Sequence, residues 1–229
     1  MSESLNEKIK RFREDRIAHL FANETPVPLR NNAKLVLHLI PLISLNPSTT
    51  YDIDKLEPKV AYYVPMSTRG SGRRYNLDGL LSYSVTGDVS YSYTQLYRSG
   101  IVEAVDACTL DANGNKVIPS INFEQELILA LPNYLSALKS LNVELPIVTF
   151  LTLVGVKGYS MATDRFFQGE SCQIDRDVLL LPETIIDSYD VKAEVILKPV
   201  FDAIWNSCGF PKSLNYNDKG EWKPKRSFP

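Results

Sequence analysis

Residues 75–110 read YNLDGLLSYSVTGDVSYSYTQLYRSGIVEAVDACTL, and the fold class turns on them. Three short segments, 75–85, 90–98 and 101–110, are rich in β-branched and aromatic residues. The turn-forming TGDV and SG separate them. The pattern predicts an antiparallel meander.

Working outward, Leu5, Ile9, Phe12, Ile17, Leu20 and Phe21 recur at spacings near three and four among charged residues, which predicts an amphipathic helix over 5–21. Pro26 and Pro28 stop it. The apolar run 34–42 then reads as a central strand, and 44–74, with three prolines and no sustained period, as a long loop. After the turn DANG at 111–114, Asn122 is the expected cap of a helix carrying Leu127, Leu131, Leu135 and Leu138, with a kink or break at Pro132. Residues 146–159 and 177–186 read as two further strands, and 191–208 as a last helix stopped by Gly209. The tail from Lys212 is polar and expected to fray.

The sum is an α+β protein. It is a mainly antiparallel sheet of about five to six strands with helices packed on it, covered on one face, plus an N-terminal amphipathic helix. The organisation expected is helix 1–22, a single domain 23–211 and a flexible tail 212–229.

With 229 residues, 44% hydrophobic and 23% charged, the chain has globular composition and enough length for one substantial core. A formal net charge of −2 gives no global field that would gather nucleic acid or anionic lipid, so any such binding has to be local. The charged N-terminus lacks the apolar core of a signal peptide, and no apolar run is long enough to span a bilayer. A cytoplasmic location without membrane partners is the expectation. Cys108, Cys172 and Cys208 are odd in number, far apart in sequence and without CxxC spacing, so structural thiols in a reducing compartment are expected.

No complete catalytic or cofactor motif is present, and no catalytic residue, metal ligand or cofactor is assigned. Only His19 and His38 could serve as an imidazole base. His38, alternating with leucines, reads as a satisfied or sheet-exposed side chain. The sharpest local feature is Arg69-Gly70-Ser71-Gly72-Arg73-Arg74. Arg69, Gly70, Gly72, Arg73 and Arg74 could offer backbone N–H groups and guanidinium forks to a phosphate, the alternative being a solvated loop. Tyr75, Tyr83, Tyr91, Tyr93 and Tyr97 follow it, either as a platform for stacking bases or as cross-strand packing. Asp106, Asp175 and Asp177 are the carboxylates considered for a metal and discounted, as is the Glu-x-Lys spacing at Glu221 and Lys223.

FREDRIAHLFANETPVPLRNNAKLVLHLIPL (12–42), RRYNLDGLLSYS (73–84), TQLYRSGIVEAVDA (94–107), LVGVKGYSMA (153–162), DRDVLLLPE (175–183) and FDAIWNSCGFPKSLNY (201–216) form a scattered set. Together they resemble the C-terminal region of bacterial proteins that begin with a Schlafen-type AlbA DNA-binding domain. The AlbA-like domain itself is absent here, and that C-terminal region brings no defined activity with it. The resemblance implies an accessory binding module working with nucleic acid or a nucleic-acid-binding partner. The alternatives are a small-molecule sensor with 44–74 as its lid, a protein-interaction domain, and, last, an enzyme using Asp175 or Asp177.

Overall fold

The computed structural model describes residues 4–56, 63–68, 71–84, 87–111, 114–163 and 171–224. Its centre is a sheet of eight strands: β1 (Lys34–Pro41), β2 (Ser71–Tyr75), β3 (Gly79–Ser84), β4 (Ser92–Tyr97), β5 (Val102–Asp106), β7 (Ile147–Val154), β9 (Val178–Leu180) and β10 (Thr184–Ile186). The order is β10-β7-β1-β5-β4-β3-β2, with β9 also on β7, and every pairing within it is antiparallel. A separate two-stranded parallel pair joins β6 (Val117–Ile118) to β8 (Ser160–Met161).

The α+β class and the antiparallel meander stand as read. The strand number and the covering differ from the reading. The stretch 75–85 is two strands, with β2 drawn partly from the presumed loop, and 177–186 likewise divides into β9 and β10. Helices cover both faces rather than one. The uninterrupted burial of β1 and β7 follows from this, because a strand packed on both sides carries no polar alternation.

Helix α1 (Leu5–Phe21) lies on one face. Ser4 caps it reciprocally: its hydroxyl accepts from the Glu7 amide at 3.4 Å, while the Glu7 carboxylate accepts from the Ser4 amide at 2.7 Å. The buried stripe is Ile9, Arg13, Ile17 and Leu20, whereas Leu5 and Phe21 are exposed. Ile9 packs with Ile40, Ile101, Val148 and Phe150, and Ile17 and Leu20 pack with Val36, Leu81, Tyr93 and Val105. Arg13, in the middle of this stripe, donates to Thr152 Oγ1 (2.9 Å) and to the Leu151 carbonyl (2.8 Å), and it lies 4.7 Å from the Phe150 ring centre.

Helices α2 (Ser120–Ser140) and α3 (Ala193–Ser207) cover the other face, against Leu35, Leu37, Leu39, Val102, Ala104, Leu151 and Leu153. Helix α2 has Pro119 at its cap, three residues before the expected Asn122, and runs unbroken through Pro132. Pro132 faces outward, so the carbonyl it leaves without a ladder donor lies on the helix's outer side. Gly209 ends α3 as expected: at φ +89° it lets Phe210 N donate to Trp205 O and its own N donate to Asn206 O.

The segment after Lys212 is not frayed where it is described. Ser213, Asn215 and Tyr216 are buried, and Trp222 packs on the core. Glu124 on α2 is the reason: its carboxylate accepts from Trp205 Nε1 (2.8 Å), Ser213 Oγ (2.7 Å), Asn215 Nδ2 (2.9 Å) and Trp222 Nε1 (2.7 Å).

Candidate functional site

Of the predicted phosphate-binding residues, Arg69 and Gly70 lie outside the described residues. Gly72, Arg73 and Arg74 are not in a loop but on β2, the edge strand. The two-residue period of a strand then sends the arginines to opposite faces. Arg74 pairs with Leu81 on the α1 face, and Arg73 pairs with Ser82 on the other. Arg74 is engaged, donating to the Pro26 carbonyl at 2.7 Å and lying 5.8 Å from the Tyr83 ring centre. Gly72 serves that same ring: a Cβ there would fall 2.8 Å from Tyr83, so the glycine admits the tyrosine across the strand pair. Of the five tyrosines, Tyr93 is fully buried, and Tyr83 and Tyr91 are half-buried with a guanidinium over the ring, that of Arg74 for Tyr83 and of Arg30 for Tyr91.

The histidine question has a definite answer. His38 on β1 stands opposite Glu103 on β5, and both side chains are fully buried beneath α1. Arg16 reaches down from α1 and holds Glu103 with both nitrogens of its fork, Nε to Oε2 at 2.8 Å and Nη2 to Oε1 at 2.9 Å. His38 Nε2 lies 3.0 Å from Oε2, and Tyr93 donates to Oε1 at 2.7 Å. Burial pushes the Glu103 carboxyl up, but Arg16 and His38 outweigh it and hold the group well below the usual carboxylate range. An ionised Glu103 can only accept, so His38 Nε2 is the donor. Sequence reading missed Glu103, although a glutamate inside IVEAVDA was a visible break in an apolar pattern. The cluster is sealed by α1 and holds no nucleophile, and it fastens the helix to the sheet. His19, in contrast, is partly exposed, 3.5 Å from Glu24.

The discounted carboxylates are not brought together. Asp106 spends one oxygen on the Cys108 and Thr109 amides, Asp175 forms an exposed pair with Arg176, and Glu221 pairs with Lys223. Among the described residues no group of three or more His, Cys, Asp or Glu could hold a metal ion. Among them, too, no helix is long and apolar enough to cross a membrane.

A cleft of about 430 Å³ opens where the end of α1 meets the Lys34 end of β1 and the Val154 end of β7. Its walls include Asn23, Asn31, Asn32, Lys34, Lys116 and Asp177. The volume falls in the range of small-molecule sites, about 300–1,000 Å³. None of the described residues of 44–74 lines it.

Lys34 shares its alternation phase with Val36, His38 and Ile40, which turns its side chain to the α1 face. It is 9% exposed. Its ammonium donates to the Asn32 carbonyl at 3.0 Å, and among the described residues no carboxylate pairs with it. Burial therefore lowers its pKa. Two lining residues hold positive φ without being glycine, Asn23 at 58° and Lys116 at 56°. Asn23 is accounted for by capping α1, since Glu24 N donates to His19 O across it. Lys116 leads into β6, and its carbonyl accepts from Ser160 N at 3.0 Å.

Neither protein-family models, nor curated proteins, nor solved structures give a match to this chain. What the molecule does has to be argued from its geometry.

Proposed function

We propose that the protein is a non-enzymatic binding module that holds a small anion bearing a phosphate or carboxylate in the Lys34 cleft. One observation carries this reading: Lys34, a residue only 9% exposed, lines the cleft with no carboxylate at ion-pair distance among the described residues, although Asp177 stands in the same wall. A buried cation costs stability unless it is paired, and a ligand anion would supply the pair. The Asn23, Asn31 and Asn32 amides add neutral donors, and Lys116 a second cation.

The test is Lys34→Met, which keeps the apolar stem and removes the charge. Losing one charge-assisted hydrogen bond of about 1.5–3 kcal/mol predicts roughly 10- to 150-fold weaker binding of inorganic phosphate by calorimetry. Without ligand the variant should melt higher than the wild type, because the unpaired charge is gone. A lower melting temperature together with unchanged phosphate affinity would make Lys34 a structural residue. The pH dependence has a fixed sign. The anion binds the protonated amine, so affinity falls as pH rises through the depressed Lys34 pKa, before the ordinary lysine range is reached, and binding there takes up protons.

A second reading is favoured by the Arg30–Tyr91 and Arg74–Tyr83 pairs, each with its cation 5.8 Å from the ring centre near the β2 edge. These exposed guanidinium groups and half-buried rings suit contact with single-stranded nucleic acid, in keeping with the likeness to regions that follow an AlbA-type domain. Salt-sensitive binding of labelled DNA or RNA, lost in an Arg30→Ala/Arg74→Ala variant, would support it.

A further inference from the structure

The fold brings two of the three cysteines together although 35 residues separate them in the sequence. Cys172 N donates to Cys208 O at 2.9 Å. Adding the N–Cα bond of one residue and the O-to-Cα distance of the other places the two Cα atoms at most about 6.8 Å apart. That limit lies inside the range disulfides span, about 4.4–6.8 Å. The side chain of Cys172 runs along the end of α3: a Cβ built on Gly209 would lie 2.9 Å from Cys172 Sγ and 3.3 Å from its Cβ. The missing side chain at residue 209 is what lets that sulfur lie against the residue that follows Cys208. Cys172 is exposed, and Cys208 is buried. The two thiols therefore differ in access: an oxidant in solution meets Cys172 first, and the backbone of Cys208 is one hydrogen bond away.

We propose that Cys172 and Cys208 form a reversible disulfide, with Cys172 as the sulfur that meets a peroxide and Cys208 as the resolving sulfur. In the first step the Cys172 thiolate attacks one oxygen of hydrogen peroxide. The O–O bond breaks, the departing hydroxide leaves as water after protonation, and Cys172 becomes a sulfenic acid. In the second step the Cys208 sulfur attacks the Cys172 sulfur. The S–O bond breaks, the hydroxide takes the Cys208 proton and leaves as water, and the S–S bond forms. Two thiols lose two electrons in all, and one peroxide becomes two waters. Burial pushes the Cys208 thiol up to about 11, so its attack is slow, and the yield depends on sulfenic acid persisting at Cys172.

The experiment uses the full chain carrying Cys108→Ser, so that only these two thiols remain. It is treated with a small excess of hydrogen peroxide, denatured, and exposed to a maleimide. The expected product is a monomer lighter by about 2 Da that takes up no maleimide, yields a Cys172–Cys208 linked peptide, and regains both thiols with dithiothreitol. Cys172→Ser, an exposed position that leaves the core intact, should keep Cys208 fully alkylatable after the same treatment. Gly209→Ala should slow linkage about tenfold by crowding the Cys172 sulfur. The proposal is overturned if Cys172 proceeds to sulfinic acid while Cys208 remains a free thiol, or if peroxide yields only dimers linked through Cys172.

Discussion

Replacing Glu103 by Met should destabilise the protein by about 3–5 kcal/mol, read as a lower urea midpoint with an unchanged slope. The variant leaves the Arg16 guanidinium, the His38 ring and the Tyr93 hydroxyl facing a thioether in a site where the glutamate is fully buried. The cost comes from stranding the partners more than from the worth of the pair. Adding Arg16→Met to Glu103→Met should therefore recover a large part of the loss, since two apolar chains then meet where two charges did. The pH dependence identifies the group. Glu103 is held below the ordinary carboxylate range in the folded state, so its contribution is complete above the unfolded pKa and is lost as pH falls through the folded one. In Glu103→Met that part of the acid-side slope should vanish.

Glu124→Gln should cost about 2–4 kcal/mol, and its effect should be local first. Trp205, Ser213, Asn215 and Trp222 all present donors to this carboxylate, and glutamine turns an N–H₂ toward two of them. Burial raises the Glu124 pKa, while those four donors pull the other way. Because the segment 213–222 is held chiefly through this group and through Tyr216, whose hydroxyl donates to Glu194 O, it should loosen before the sheet does. Limited proteolysis at Lys212 and Lys219, with red-shifted tryptophan emission, is the expected signature. If cleavage is no faster than in wild type, the segment is anchored by apolar packing instead.

Much of the fold could be read directly. Strong periodicity located α1, and β-branched segments split by TGDV and SG located the meander. Boundaries failed where a local signal and the tertiary context disagreed. Pro132 reads as a break, yet on the outer side of a helix whose inner side carries Phe123, Leu127, Leu131 and Leu135 the packing holds the helix together. The stretch 212–224 reads as a polar tail because nothing local announces that Ser213, Asn215 and Trp222 meet a glutamate some ninety residues earlier.

The candidate sites were less legible, for the same reason. RGSGRR stood out as a motif, but strand geometry parts Arg73 from Arg74, which composition cannot foresee. Lys34 read only as the first residue of the apolar run 34–42. Its signal was its phase: it alternates with Val36, His38 and Ile40, all of which point inward. The proximity of Cys172 and Cys208 had no sequence signal, since it depends on how the chain after β8 returns to the end of α3.

The most direct test of the Lys34 cleft is a titration of the ¹⁵N-labelled protein with inorganic phosphate, following amide shifts. Saturable shifts are expected at the Asn23, Asn31 and Asn32 side-chain amides and at the backbone near Lys34 and Gly155, all absent in Lys34→Met. Shifts that never saturate, or that gather at Arg30, Arg73 and Arg74 and leave the cleft unmoved, would contradict it.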